Sequence, residues 1–233
     1  MSEEGRPKRS QRLKEIGALF AYLPRSAGHL RARGPADGPP AMVIPGFLSY
    51  DRHTTEMRRA LAEAGFRVHP WRQGFNWGAR ADTLERLKRA VDACGAKEPM
   101  LIVGWSLGGL YAREIARAEP DRVRAVVTMG SPVWGDLRRY TSVWKLYERV
   151  AGHPVDKPPI PHIEDKPPVP TLALWSGRDG IVGAPSARGA ENTRDKAVEL
   201  DTTHMGFAMS PRVARRAARE IVSFLDEVDA TKR

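Results

Sequence analysis

The sequence holds a single cysteine, Cys94, among 233 residues. One thiol cannot close a disulfide within the chain, and a fold that needs none fits a reducing compartment such as the cytoplasm. Cys94 also falls in step with Leu84, Leu87 and Val91, so it reads as a buried small hydrophobe rather than a nucleophile. Long apolar runs are missing too: none approaches the ~20 residues that a membrane-spanning helix needs. No signal peptide is read at the N-terminus, because Gly17 and Pro24 interrupt its nearest apolar stretch, Ile16 to Leu23. Aromatics make up only 7% of the chain, and none interleaves with the basic run from Arg6 to Lys14. A nucleic-acid stacking platform would require such interleaving. The net charge of +10 is therefore read as a diffuse basic surface, since elsewhere bases alternate with acids, as from Arg80 to Arg89.

What is present is an ordinary globular composition, 41% hydrophobic and 28% charged, of a length that suits one α/β domain. Residues 1–33 read as a basic N-terminal region: a polar, disordered tail over 1–12, then a short helix over 13–23. The domain proper is placed at 34–233. From residue 41 onward strand and helix patterns alternate. Apolar, β-branched runs mark strands at 41–44, 66–71, 100–103, 123–129, 171–175 and 197–200. Helical patterns fall at 51–64, 81–93 and 107–118, and a last helix carries the stripe Val213, Ala217, Ile221, Phe224, Leu225 and Val228. This order predicts a mostly parallel central sheet of about six strands with helices on both faces. The proline-rich segment 134–168 breaks the rhythm. It holds one amphipathic helix around Val143, Leu146, Tyr147 and Val150, and it leaves from the C-terminal edge of a strand. It is read as a short cap-like insertion over a substrate, the alternative being a surface loop whose aromatics pack down on the body.

The chemistry concentrates at Gly104-Trp105-Ser106-Leu107-Gly108, which follows an apolar strand and opens a helix at once. Glycines at 104 and 108 let strand and helix backbones touch, and the sharp turn holds the Ser106 hydroxyl exposed above the sheet edge. The amide of Leu107 stands at a helix N-terminus, where it can donate to a developing oxyanion. A serine hydroxyl needs a base, and the base needs an orienting acid. Two later strand ends supply them in that edge's register: Asp179 after 171–175 and His204 after 197–200. Asp136, beyond the strand 123–129, is the rival acid, and Asp201 reads as a strand-end residue. Of the other histidines, His53 lies near the first loop and could approach the site. His29, His153 and His162 lie in loops, and His69 lies within a strand. A second oxyanion donor is expected from the loop Ile44-Pro45-Gly46-Phe47, through the amide of Phe47, unless that loop is a plain strand-to-helix turn.

Together with Gly130-Ser131-Pro132, Ser176-Gly177-Arg178-Asp179-Gly180 and Thr203-His204-Met205-Gly206, these motifs resemble the α/β-hydrolase superfamily, of the bacterial serine esterase and lipase type, from about Ala41 to Leu225. The resemblance implies ester hydrolysis through an acyl-serine intermediate. Ser106, His204 and Asp179 would form the triad, Phe47 and Leu107 the oxyanion hole, with no metal or organic cofactor and a small-molecule or lipid ester as substrate. Pro45 stands where many relatives have histidine, and Trp105 where many lipases do. The wording Gly-Trp-Ser-Leu-Gly-Gly is similar to the carboxylesterase of biotin synthesis, whose cap is larger than 134–168 could build. That similarity implies a second reading, a hydrolase or acyltransferase for acyl esters or thioesters borne by an acyl carrier protein docked on the basic surface. A third reading, from another class, is a non-catalytic binding module using its basic N-terminal surface. Neither a nucleic-acid partner nor an integral membrane segment is expected.

Overall fold

Strand sequences that are apolar at every position need cover on both faces, and the computed structural model supplies it. It describes residues 5–22 and 34–231; His29 and the basic residues Arg25, Arg31 and Arg33 lie outside them. The elements run α1 (Arg9–Tyr22), β1 (Pro40–Ile44), α2 (Thr55–Glu63), β2 (Arg67–Pro70), α3 (Thr83–Ala93), β3 (Met100–Trp105), α4 (Leu107–Ala118) and β4 (Val123–Met129). Then follow α5 (Leu137–Tyr140), α6 (Trp144–Ala151), β5 (Thr171–Trp175), α7 (Ala184–Arg188), β6 (Lys196–Glu199), α8 (His204–Met209) and α9 (Pro211–Thr231).

The six strands form one parallel sheet in the order β2-β1-β3-β4-β5-β6. Strand periodicity then divides the core in two. Ala41, Val43, Leu101, Val103 and Trp105 face α2, α8 and α9, where Met57, Leu61, Phe207, Ile221 and Phe224 meet them. Met42, Ile44, Met100 and Ile102 face α3 and α4, against Leu87, Val91, Tyr111 and Ile115. Cys94 packs against this second layer, with its thiol donating to the Ala90 carbonyl at 3.2 Å.

The chain lays β2 on one side of β1 and β3 on the other. The loops after β1 and β3 thus diverge over a crevice at the strand C-termini, where open α/β sheets bind ligands. The N-terminal region differs from its expected form. The helix begins at Arg9, so residues 9–12 are helical rather than a disordered tail, and Pro7 before it is buried. The polar residues there have partners: the Gln11 side chain donates to the Gly177 carbonyl at 2.7 Å and accepts from the Lys8 amide.

The far end of segment 134–168 is fastened from below by α4. Arg113, 1% exposed, donates to the carbonyls of Thr193, Glu164 and Asp165 at 2.8, 2.6 and 2.9 Å. Burial, and after it the neighbouring Arg117, lowers its pKa to about 10. Replacing Arg113 with alanine is expected to strip the Thr193 and Glu164 carbonyls of this donor, leaving that of Asp165 to Arg117, and to destabilise the fold by about 3 kcal/mol, read from urea unfolding midpoints.

Candidate active site

The strand β3 ends in a turn with no side chain between its limbs. A Cβ on Gly104 would stand 2.2 Å from the Gly108 carbonyl oxygen, and one on Gly108 would stand 2.3 Å from that of Ile44. Ser106 absorbs the turn at φ 55°, ψ −123°, a region that L residues rarely adopt. Its amide donates to the Met129 carbonyl of the next strand at 2.9 Å, so the position is fixed from both sides.

Two and three strands further along the edge stand Asp179, after β5, and His204, after β6, both nearly fully buried. His204 Nδ1 lies 2.8 Å from Asp179 Oδ2. The other carboxylate oxygen, Oδ1, accepts from the amides of Ile181 and Val182, each at 2.8 Å. Gly130, at φ 55°, makes room for the pair, since a Cβ there would lie 2.9 Å from Asp179 Oδ2. Burial pulls the His204 pKa down, but the charge and hydrogen bond of Asp179, with the charge of Glu15, outweigh it. The net direction is up from 6.5. Trp105 joins this pair to the turn: its indole N–H donates to the His204 carbonyl at 3.1 Å, and its ring lies 5.5 Å from the imidazole. Strand alternation dictates that placement, because Trp105 points to the face that carries α8.

The loop after β1 meets the same turn. A Cβ on Gly46 would come within 3.0 Å of Ser106 Cβ, so glycine allows the approach. Phe47, Ser106 and Leu107 share the wall of one cavity. Leu107 is the first residue of α4, and Phe47 is followed by Leu48 at φ 54°. Buried Asn76 holds this loop. Its side-chain amide donates to the Pro45 carbonyl at 2.9 Å, its own carbonyl accepts from the Leu48 amide, and its N–H donates to Ser49, both at 2.8 Å. Much of the remaining cavity wall comes from segment 134–168, including Leu137, Trp144, Tyr147, Val155 and Ile160, with Leu110 and Tyr111 of α4 and Ile181 and Val182 adding to it. Tyr147 meets Phe47 edge-on at 5.0 Å.

The competing residues are engaged elsewhere. Asp136 caps α5 through the Arg138 amide, and Asp201 pairs with Arg178 at 2.8 Å on the surface. His53 Nδ1 accepts from the Tyr50 amide at 3.3 Å, and His153 lies against Tyr147 and the Ala79 carbonyl. His162 does line the cavity, which its loop position gave no reason to expect; its Nε2 is buried with no partner among the described residues, and burial lowers its pKa. Asn76 and Glu15 were also outside the expected set. Asn76 sits among aromatics in Phe75-Asn76-Trp77, away from any strand end, and Glu15 sits on a polar helix. Among the described residues, no group of three or more His, Cys, Asp or Glu could hold a metal ion.

A family model for the α/β-hydrolase fold matches residues 69–151. The pimeloyl-[acyl-carrier protein] methyl ester esterase of Cronobacter sakazakii is 47% identical over 58 residues, which span 25% of this chain and only 22% of that enzyme's length. Among solved structures, a carboxylesterase from Bacillus subtilis superposes with a TM-score of 0.59 at 18% identity, covering 93% of this chain and 98% of its own. An α/β-hydrolase enzyme from a lagoon-sediment metagenome (Mar Chica, Morocco) gives 0.61 at 20% identity, covering 84% and 94%.

Substituting Asn76 by alanine is expected to slow labelling of Ser106 by a fluorophosphonate, because the loop bearing Phe47 loses the side-chain bond at Pro45 and keeps only its main-chain bonds to residue 76. It is also expected to lower stability by about 1–3 kcal/mol, the range for a buried carbonyl stripped of its donor. Labelling kinetics and thermal unfolding measure the two effects separately.

Proposed function

We propose that the chain, which has the α/β-hydrolase fold, is a member of that superfamily and hydrolyses carboxylic esters through an acyl-serine intermediate. In this reading Ser106 Oγ attacks the ester carbonyl while His204 Nε2 takes its proton. Asp179 keeps the remaining proton on Nδ1 and stabilises the imidazolium that forms. The amides of Phe47 and Leu107 receive the oxyanion of the tetrahedral intermediate. His204 returns the proton to the departing alkoxide as the C–O bond breaks. Water then attacks the acyl-serine with His204 as base again, releasing the acid and restoring Ser106.

The observation that carries the proposal is the 2.8 Å contact between two buried side chains, His204 and Asp179, tied through Trp105 to a serine held at positive φ. A buried imidazole–carboxylate pair is costly unless its polarity is used or fully compensated. The near-wholly apolar cavity beside Ser106 supports an acyl chain as the group bound there, with segment 134–168 as its cover.

A second reading, hydrolysis of an ester borne by an acyl carrier protein, draws on the Cronobacter relative and on the net charge of +10. Turnover of a carrier-borne ester that falls steeply with added salt, while that of small esters does not, is the outcome it requires.

With p-nitrophenyl esters of graded acyl length, the wild type is expected to turn over and to favour chains that fill the cavity. Ser106→Ala is expected to lose at least about a thousandfold in kcat and all fluorophosphonate labelling. Catalysis needs His204 neutral, so kcat/KM should fall as pH drops through its pKa. Because that pKa is raised, the midpoint of the acidic limb is expected above 6.5. A stopped-flow or steady-state pH profile checks the sign.

A further inference from the structure

We propose that Glu15, carried on the N-terminal helix, is a positioning residue that locks the Asp179 and His204 loops to one another. The inference rests on the reading of Ser106, His204 and Asp179 as a working triad, and it adds a member from outside the strand edge that bears them.

Glu15 is only 4% exposed. Its Oε1 accepts from the His204 amide at 2.6 Å and from the Gly180 amide at 2.9 Å, and its Oε2 accepts from the Met205 amide at 3.0 Å. One carboxylate thus grips the backbone of the base itself and of the residue next to the acid. The three bonds span sequence separations of 165 to 190 residues, so no local turn could replace them.

The bonds also complete an accounting that the backbone demands. The first amides of α8 have no partner within the helix. The Gly206 amide is served by the Thr203 hydroxyl at 3.2 Å, and those of His204 and Met205 are served by Glu15. Without Glu15, His204 would sit on a helix end with two of its buried donors unmet, free to shift toward other acceptors.

The close approach of the helix is itself built in. A Cβ on Gly180 would lie 2.5 Å from Gln11 backbone atoms, and one on Gly183 would lie 2.1 Å from the Gly5 carbonyl oxygen. Residues 5–15 therefore lie directly on the loop that follows β5, and Gln11 adds a side-chain bond to Gly177. Two glycines in the acid loop make sense as clearance for this strap.

Electrostatics points the same way. The charged groups that act on His204 are Asp179 and Glu15, and both favour its protonated form against the opposing effect of burial. The imidazolium is the state created when Ser106 gives up its proton, so a second carboxylate near it favours the transition state. Glu15 touches neither substrate nor the reacting atoms, and it acts only through His204 and the acid loop.

The test compares full-length wild type, Glu15→Gln and Glu15→Ala on a soluble p-nitrophenyl ester, with thermal unfolding and NMR titration of the His204 ring in parallel. Glutamine keeps the shape and one strong acceptor but removes the charge. The expected result for Glu15→Gln is a kcat lower by roughly 10- to 100-fold, the scale of a ~1 Å misplacement, with KM nearly unchanged. The acidic limb of kcat/KM and the NMR midpoint of His204 should both move to lower pH. Glu15→Ala should lose at least as much kcat and some unfolding temperature as well. Wild-type kcat and an unmoved His204 midpoint in Glu15→Gln, with only the unfolding temperature lowered, would reduce Glu15 to a tether and overturn the proposal. A wild type that hydrolyses no ester counts against the proposed function instead, and the NMR titration still decides the role of Glu15.

Discussion

At the end of β3 the polypeptide folds back on itself with bare backbone against bare backbone. Gly104 lies on Gly108, and Gly108 lies on the end of β1. This contact sets the remaining geometry. It forces Ser106 into positive φ, brings the loop after β1 to within a glycine's width of Ser106, and starts α4 at the cavity wall. Any side chain at those glycines would separate the loops after β1 and β3 and open the crevice that the strand order creates. The ordering of β2 and β3 on opposite sides of β1 chooses where a site can be, and the glycine contact decides how tightly it closes.

Around the turn, buried polar groups are satisfied nearly atom by atom. Both oxygens of Asp179 and both of Glu15 have donors, and their partners are His204 or main-chain amides. Fixed donors of this kind hold charge in a dry interior without side-chain rearrangement, which is the condition for a proton to move between preset positions. Trp105 contributes on the same principle, because a single indole bond anchors the His204 carbonyl.

Much of this was legible in the sequence because it follows from local rules. The strands β4 and β5 and the helix α4 have the bounds their patterns imply, since runs such as Val123–Met129 are apolar on both faces and Gly108 follows a strand. The positions of Ser106, Asp179 and His204 were legible as strand ends on one edge. Glu15 and Asn76 were not, because each works through main-chain groups far away in sequence, and a backbone amide leaves no mark in the code. The early start of α1 escaped for the same reason. Arg9 to Arg12 look like a solvated tail until the loop at Gly177–Gly183 is placed beside them. Trp105 was visible as a residue, but its role emerged only when strand alternation set it on the α8 face.

The high net charge also finds its explanation in the architecture. Many arginines bind main-chain carbonyls. Arg113 and Arg117 bind carbonyls at 163–165, Arg58 binds that of Asp51, Arg86 that of Gln73, and Arg194 that of Arg188, and of these Arg117 also pairs with Glu114. A guanidinium has several donors in a rigid fork and no acceptor, so it suits loop carbonyls that have left the sheet ladder. Such a use needs no acid as partner. A chain that closes its long connections this way becomes basic without building a basic stripe, and its arginines are spread over the body wherever a loop must be pinned. The segment that shares the cavity wall with Ser106 is the clearest case. Arg138 pairs with Glu148 and Asp156 within it, and Arg113 and Arg117 of α4 pin its carbonyls at 163–165 to the body.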